Sequence, residues 1–270
     1  MSTSWRIVLA LICTAATGHF AAAHHSDLWY GHGTAAVVMR SPKLLAAGID
    51  SKETYLRYAE GGVRTDDREI CKAARLGSDY ALVAGLDRGS NGYDALSEAA
   101  SVWQSGDDLN ALASKIEGVV AQPLTSLLSH IRAVDPSGFD QRFRGQTVTE
   151  MGLFGVEDRV PRLVILEFTE SESATEHLYL SLRETRCPGD CSHSSTAYFL
   201  GVHDEIDSAV RRNPKLLSPP SESNVETLIH LEMLHRPDIV GGPVAMIAMN
   251  QSGNEFVNPG ACSSGELMGR

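Results

Sequence analysis

Basic residues are scarce in this sequence of 270 residues. Lysine and arginine number 23 against 34 aspartate and glutamate residues, which gives a formal net charge of −11. An acidic surface repels a phosphate backbone, and no basic stripe along the chain reverses that balance. We therefore expect no nucleic-acid partner. Hydrophobic residues make up 43% of the chain, which is enough for a substantial core.

Long hydrophobic runs are missing, except at the N-terminus. Residues 1–23 combine a short leading segment with one arginine, an apolar stretch rich in small residues, and an A-x-A boundary at Ala21 and Ala23. This order is typical of a secretory signal peptide, and a buried N-terminal helix is the alternative. No other segment reaches the ~20 apolar residues that a membrane span requires. We expect a secreted or periplasmic protein with no membrane partner, whose mature chain begins near His24.

Cysteines are few, and their placement indicates disulfide bonds. Cys13 would leave with the signal peptide, so four cysteines would remain in the exported chain. An even number in an oxidising compartment favours disulfides. The segment CPGDC places Pro and Gly in a turn between Cys187 and Cys191, which favours a local bond. Zinc is the rival interpretation of that pair, but no second closely spaced pair accompanies it. Cys71 and Cys262 stay open, as a second disulfide or as two buried thiols.

Hydrophobic periodicity divides the remaining chain into blocks of strands and helices. Residues 24–33 (HHSDLWYGHG) are interpreted as a flexible leader. Short apolar or alternating runs, typical of strands, occupy two later blocks, and helical periodicity over 91–131 separates them. Pro123 is expected to kink or break the second helix of that region. The polar stretch 61–69 (GGVRTDDRE) is expected to form a loop.

The order of these blocks favours one layered domain. Strands, two helices, strands, two helices and a final strand region follow one another without a linker-like change in composition. We expect one α+β domain over 34–258 and an irregular tail over 259–270. Two stacked sheets, each covered on its outer face by a helix pair, give a four-layer αββα sandwich. Two separate α+β domains are the alternative.

Five stretches resemble the proteasome-type branch of the N-terminal nucleophile (Ntn) hydrolases. In chain order they are GTAAVV, LLAAGIDSK, ICKAARLGSDYALVAG, TAYFLG and LIHLEMLHRPDIVGGPVAMIAMNQSG, and together they span about 33–257. The first three are similar to the family's Gly-Thr start, its second strand ending in Asp, and its Lys-bearing strand with the strand that follows. The last two are similar to a later strand that meets a helix at Gly and to the final helix with its terminal hairpin. The resemblance implies the αββα fold.

The resemblance also implies a chemistry. Thr34 matches the nucleophile, Asp50 and Lys72 match the pair that sets the local charge, and Gly85 matches the glycine whose N–H faces the developing oxyanion. Lys72 needs a small gap against the family pattern. A hydroxyl requires a base beside it, and a free α-amine, with an unperturbed pKa near ~8, suits that task. We expect a threonine-type peptidase or amidohydrolase that acts on a peptide or small amide without a cofactor or metal.

Two departures from the family pattern bear on activity. Val202 stands where the family has a serine, with His203 and Asp204 as polar neighbours. Signal cleavage after Ala23 would leave ten residues ahead of Thr34, so a second cut directly before the threonine is required. Inactive members keep the same strands, so a catalytically inactive scaffold or binding subunit is the alternative function. Members commonly assemble into rings, and a homo-oligomer is therefore left open.

The histidines suggest a third function. If the mature chain starts at His24, its amine and imidazole, with His25 or His32 nearby, suit Cu²⁺. His230 and His235 on the last predicted helix are interpreted as packing or surface residues. A periplasmic metal-binding protein is therefore the third candidate, after the hydrolase and the scaffold.

Overall fold

A computed structural model describes residues 28–59, 62–172, 177–191, 193–253 and 255–263. The predicted signal peptide lies outside these ranges, as does the tail beyond residue 263. Within them the chain is a mixed α and β protein built on three antiparallel sheets. No helix in the described part of the chain combines the length and hydropathy needed to cross a membrane.

Strands and helices follow one another in blocks. The first block contains β1 (Trp29–His32), β2 (Ala35–Arg40), β3 (Leu44–Ile49), β4 (Lys52–Ala59), β5 (Gly62–Glu69), β6 (Ala73–Leu76), β7 (Asp79–Gly85) and β8 (Arg88–Gly89). The helices α1 (Ala95–Val102), α2 (Leu109–Val134) and α3 (Pro136–Arg142) follow. The second half contains β9 (Thr147–Glu157), β10 (Val160–Glu172), β11 (Leu178–Cys187), β12 (Thr196–Gly201), α4 (Asp204–Arg212), a 3₁₀ turn (Pro214–Leu217), α5 (Glu222–His235), β13 (Ala245–Asn250) and β14 (Glu255–Asn258).

The three sheets draw on distant parts of the chain. The first sheet has the order β5-β4-β1-β8, the second β11-β10-β9-β7-β6, and the third β12-β2-β3-β13-β14. Neighbouring strands pair antiparallel throughout these sheets. The chain passes from the first sheet to the third between β1 and β2, and this crossing holds Thr34.

Strand β2 shows how the layers are held together. All six of its residues are buried, and the first five, AAVVM, form a continuous apolar run rather than an alternating one. Successive side chains of a strand point to opposite faces. Ala36 and Val38 join a core shared with Leu82 and Phe154 of the second sheet. On the opposite face, Val37 and Met39 pack in a cluster with α4 and α5.

The outer face of the second sheet is covered by α1 and α2. The apolar side of α2 packs with strand residues such as Leu153 and Val164 in one large cluster. Pro123 was expected to kink or break this helix, and the break is wrong, because α2 runs through the proline from Leu109 to Val134. Buried side chains on both sides of the proline, including Val120 and Leu124, anchor the helix against the sheet. That packing outweighs the local cost of the proline.

Two segments expected to lack regular structure form strands of the first sheet. Within the predicted leader 24–33, residues 29–32 form β1, which pairs with both β4 and β8. Leu28 and Tyr30 are fully buried, and this burial fixes a segment that the sequence suggested was flexible. Residues 62–69 of the predicted loop form β5, an edge strand whose side chains are exposed along its described length. Pairing with β4, rather than burial of its own side chains, stabilises β5.

The four cysteines of the predicted exported chain form two disulfides. Cys187 and Cys191 are bonded across the predicted turn, with their Cα atoms 5.2 Å apart. Cys71 and Cys262 are also bonded, with a Cα separation of 4.5 Å, which settles the alternative that the sequence left open. Two disulfides are consistent with a location outside the cytoplasm.

Candidate active site

Thr34 lies against the peptide bond that precedes it. The residue is 1% exposed and sits between β1 and β2. Its hydroxyl donates a hydrogen bond to the carbonyl oxygen of Gly33. The Val202 N–H donates to the Thr34 carbonyl oxygen at 2.7 Å, which fixes the backbone of the threonine from the third sheet. The hydroxyl therefore lies beside the bond that would have to be cut to free the Thr34 amine.

Lys72 contacts both the Thr34 hydroxyl and the Gly33 carbonyl oxygen. Its Nζ lies 2.5 Å from Thr34 Oγ1 and 2.6 Å from the Gly33 carbonyl oxygen. It also donates to the carbonyl oxygen of Lys52. Burial lowers the pKa of Lys72, and three nearby carboxylates oppose that shift. A lysine with a lowered pKa is more readily neutral, and a neutral amine at this distance can accept the threonine proton.

Asp50 lies next to Lys72, and hydrogen bonds from backbone N–H groups hold its carboxylate in place. Its Oδ1 accepts from the Ala35 N–H at 2.9 Å, and its Oδ2 accepts from the N–H groups of Lys52 and Gly241 at 3.2 and 2.8 Å. The same Oδ1 lies 3.9 Å from Lys72 Nζ. Burial raises the pKa of Asp50, while the lysine charge and the three N–H donors act against that rise. The carboxylate is thus held at one orientation by three separate segments of the chain.

Gly85 lies in the wall of a cavity that opens beside Thr34. It ends β7 with φ at 86°, and a Cβ there would lie 2.5 Å from the carbonyl oxygen of Val148. Glycine is therefore required by both conformation and space. The structure brings Thr34, Asp50 and Lys72 together and places Gly85 beside Thr34 on one cavity surface. The carbonyl oxygen of Gly33, directly before Thr34, accepts a hydrogen bond from Lys72 Nζ.

A cavity of about 460 Å³ opens beside Thr34, with an acidic wall that sequence reasoning missed. Glu150 on β9 and Glu167 on β10 are paired directly across the strands. Burial raises the pKa of Glu150, whose Oε2 accepts from the Gly201 N–H at 2.6 Å. Glu167 forms an ion pair with Arg183. The alternation of each strand could have indicated which face these side chains share, but the cross-strand register that joins them is not visible in the sequence.

His203 is the polar neighbour of Val202 that faces this cavity. It lines the cavity together with Thr34, and its Nδ1 lies 3.1 Å from Asp207 Oδ2 within α4. Asp204 has a different environment, because its carboxylate lies 4.0 Å from the Arg236 guanidinium. A histidine, rather than the aspartate, therefore occupies the cavity wall next to the valine that departs from the family pattern.

A second charged cluster borders the leader strand. Arg88 Nε lies 3.1 Å from Glu53 Oε1 and 3.9 Å from Asp87 Oδ2, and both carboxylates are buried. Burial, with the neighbouring glutamate adding to it, raises the pKa of Asp87 to about 7. The two carboxylates of the cluster act to raise the pKa of Lys72, whereas the charge of Arg88 acts to lower it. Sequence reasoning missed this cluster, because Glu53 comes from β4 and the other two from around β8.

The histidines considered as metal ligands or surface residues lie in different parts of the chain. His24 and His25 lie outside the described residues. His32 is in β1, where burial and the charges of Arg142 and Lys72 lower its pKa to about 4. His230 and His235 are exposed on α5, as expected for surface residues. Within the described ranges, no group of three or more potential ligand side chains is arranged to hold a metal ion.

Comparison with known proteins adds no family name. No protein-family model matches this chain, and no curated protein matches its sequence significantly.

Proposed function

We propose that this protein is an exported, proteasome-type Ntn hydrolase that cleaves peptide or small amide bonds with Thr34 as nucleophile. One observation carries the proposal: Lys72 Nζ is within hydrogen-bonding distance of both Thr34 Oγ1 and the Gly33 carbonyl oxygen. Asp50 lies behind that lysine. The nucleophile Thr34 Oγ1, the base Lys72 Nζ and the carbonyl group of Gly33 that would be attacked are thus in contact. Nucleophilic catalysis requires this arrangement.

The packing of the layers supports the family part of the proposal. Helices α1 and α2 share a core with the second sheet, the second sheet shares one with the third, and the third shares one with α4 and α5. This order of shared cores supports an αββα sandwich, to which the sheet of β1, β4, β5 and β8 is additional. The two disulfides support the exported part of the proposal.

The first reaction of the site is self-cleavage before Thr34. Neutral Lys72 accepts the Oγ1 proton while Oγ1 attacks the Gly33 carbonyl carbon, and the resulting ammonium stabilises the oxyanion. The C–N bond then breaks, and the Thr34 nitrogen takes the proton back from the lysine. This leaves an ester between the Gly33 carbonyl and Oγ1. Water hydrolyses the ester to a carboxylate on Gly33 and a free hydroxyl and amine on Thr34.

The mature chemistry repeats these steps on another amide. The free Thr34 amine, with an unperturbed pKa near ~8, replaces the lysine as the base next to Oγ1. Lys72⁺ lowers that pKa by like-charge repulsion, and Asp50 keeps the lysine in place. The Gly85 N–H is the proposed donor to the oxyanion. Oγ1 attacks the carbonyl carbon of the substrate amide, the amine leaves, and water hydrolyses the acyl-Thr34 ester to complete one turnover.

A catalytically inactive scaffold or binding subunit is the second candidate. The observation that favours it is the leader, which is packed as a central strand of the first sheet and leaves Thr34 almost fully buried. If this strand were permanent, the threonine amine would stay in an amide bond and no substrate could reach the hydroxyl. The two candidates therefore differ in whether the Gly33–Thr34 bond survives in the purified protein.

Intact-mass measurement and N-terminal sequencing of the purified full chain test the proposal. We expect wild-type protein to begin at Thr34, Thr34→Ala to retain the leader, and Thr34→Ser to be cut, because serine supplies the same hydroxyl. The cut protein should then hydrolyse fluorogenic peptide amides, while the uncut alanine variant should not. Wild-type protein that keeps its leader indefinitely would refute the hydrolase and support the scaffold.

A further inference from the structure

The leader strand occupies a groove that ends at the nucleophile. Strand β1 pairs with β4 on one side, from Trp29 opposite Arg57 to His32 opposite Thr54, and with β8 on the other. The Gly31 carbonyl also accepts from the Asp87 N–H at 3.3 Å. The segment therefore lies as an extended strand held along both edges, with its last carbonyl against Thr34. It is the acyl part of the first bond that this site would cut.

The groove has no room for a side chain at its last position. Gly33 has φ at 93°, a conformation that residues with a Cβ rarely adopt. A Cβ on Gly33 would lie 2.7 Å from Ile239 Cγ2 and 3.2 Å from the Ile239 carbonyl oxygen. The side-chain contact could be relieved by a rotation, but the backbone contact and the positive φ could not. The position whose carbonyl is attacked therefore has room only for glycine.

The position two residues earlier is closed by a charged side chain. A Cβ on Gly31 would overlap the carboxylate of Glu53. Glu53 is fully buried, and its Oε1 lies 3.1 Å from Arg88 Nε, so moving it would weaken the ion pair that compensates its buried charge. Between these two glycines, His32 carries a full side chain in the same groove. The restriction thus falls on alternate positions of the strand.

We infer that the mature site selects acyl segments of the form Gly-X-Gly, with cleavage after the second glycine, and that Ile239 and Glu53 are the residues that set this specificity. The inference rests on the proposed function and deepens it, because it takes the leader as the template for later substrates. The substrate class is a glycine-terminated peptide bonded through an amide to its leaving group. The same contacts that shape β1 before the cut shape the substrate after it.

The test uses fluorogenic peptide amides that carry the sequence of the leader. The parent is acetyl-Tyr-Gly-His-Gly-aminomethylcoumarin, and two further peptides replace either glycine by alanine. With the processed wild-type chain, each alanine should lower kcat/KM by about tenfold or more, the range in which one unaccommodated methyl group discriminates. Thr34→Ala provides the background rate for all three peptides.

Variants of Glu53 separate specificity from general damage. Glu53→Asp withdraws the carboxylate by one methylene while keeping a charge opposite Arg88. It should raise kcat/KM for the peptide with alanine at the Gly31 position by about tenfold over wild type, without rescuing alanine at the Gly33 position. Glu117→Asp, the same change at an exposed site on α2, should leave all three rates at wild-type values. Ile239→Ala should give partial rescue at the Gly33 position, because the positive φ persists.

The outcomes distinguish this inference from the function on which it rests. If no peptide is cleaved above the Thr34→Ala background, both the hydrolase and its specificity are wrong. If cleavage depends on Thr34 but alanine peptides are turned over as fast as the parent, the hydrolase stands and the Gly-X-Gly preference is overturned. Discrimination that Glu53→Asp does not change would assign the preference at the Gly31 position to other residues and overturn the role of Glu53.

Discussion

Under the proposed function, Lys72 has two roles, one before and one after the leader is removed. In the uncut chain the Thr34 nitrogen belongs to an amide and cannot accept a proton. Among the contacts of the described residues, Lys72 Nζ is the amine that touches Oγ1. Burial lowers the pKa of this lysine, so its neutral form is accessible for the first cut. Once the Thr34 amine is free, the same lysine serves better as a positive charge beside that new base.

The pH dependence of leader removal follows from this assignment. Neutral Lys72 is the active form, so the rate of self-cleavage should rise with pH through the lowered pKa of the lysine and fall in acid. Lys72→Met and Lys72→Arg should each slow the cut by about a hundredfold or more, because methionine has no base and arginine stays protonated. Intact-mass time courses on freshly refolded or newly synthesised protein give the rates.

Asp50→Asn is the matched variant for this measurement. The Asp50 charge raises the pKa of Lys72, so its loss should move the pH profile of self-cleavage to lower pH. A purely structural effect would slow the cut at every pH without moving the midpoint. An unchanged rate in Lys72→Met would show that the proton leaves Oγ1 by another route.

The resemblance predicted that Thr34, Asp50 and Lys72 lie together, and for Asp50 the spacing in the sequence gives a second reason. Asp50 follows Thr34 by one hairpin, β2 to β3, so its approach to the threonine could be expected from short-range geometry. Lys72 fits the pattern only with a small gap, and its approach to Asp50 depends on the hairpin of β4 and β5 that lies between the two residues in the chain. Glu53 and Glu150 were not predicted, since cross-strand register brings them to the site, whereas His203 was named only as a polar neighbour of Val202.

At the scale of elements, apolar strands were predictable and strands held by their neighbours were not. Strand β2 is buried on both faces and carries its own signal in the sequence. Strand β5 is exposed along its described length and has none, because its stability comes from backbone pairing with β4. Strand β1 is short, and its burial depends on side chains of other elements, such as Phe143. Tertiary contacts therefore decided the two strands that the sequence missed.

The disulfide between Cys71 and Cys262 ties the end of the chain to the residue next to Lys72. We predict that replacing both cysteines by serine lowers the free energy of unfolding by about 5 kcal/mol, because the bond closes a very long loop in the unfolded chain. The variant should also slow self-cleavage, since the segment that carries Lys72 loses its covalent anchor. Denaturant titration of the uncut Thr34→Ala form measures the first effect, and intact mass measures the second.

The second disulfide provides the control within the same chain. Cys187 and Cys191 are separated by 4 positions, whereas the first pair is separated by 191. Replacing both of these cysteines by serine should cost about 2 kcal/mol on the same loop-closure argument and leave the cut unaffected. Equal losses from the two pairs would contradict the entropic account and indicate that native contacts of the sulfur atoms dominate.

At the scale of the whole molecule, acidic residues outnumber basic ones, and several of the acidic side chains are buried. The net charge is −11, and the described core includes Asp50, Asp79 and Asp87. Burial raises the pKa of Asp79 to about 7, with the Glu157 charge adding to the shift. In the unfolded chain the same group titrates near 3.8. Such carboxyl groups make the stability of the fold depend on pH in the direction opposite to that of a salt-bridged aspartate.

Asp79 should therefore destabilise the fold as the pH rises. Between about pH 4 and 7 the native state holds a proton that the unfolded state has lost, so the free energy of unfolding falls with pH across this window and levels off above it. Asp79→Asn removes the titration. Relative to wild type it should gain on the order of 2–4 kcal/mol on going from pH 4 to pH 8. Denaturant titrations of both proteins in the uncut Thr34→Ala form supply the comparison.

The difference between the two proteins isolates this group from the others that titrate in the same range. His32, with a pKa lowered to about 4, makes stability rise with pH between about 4 and 6.5, but it is present in both proteins and its contribution cancels. Asp66→Asn, the same change on the exposed strand β5, should show no such pH-dependent gain. A gain for Asp79→Asn that is already complete at pH 4 would mean that the amide improves local packing or hydrogen bonding, and that ionisation of the buried carboxyl has no part in it.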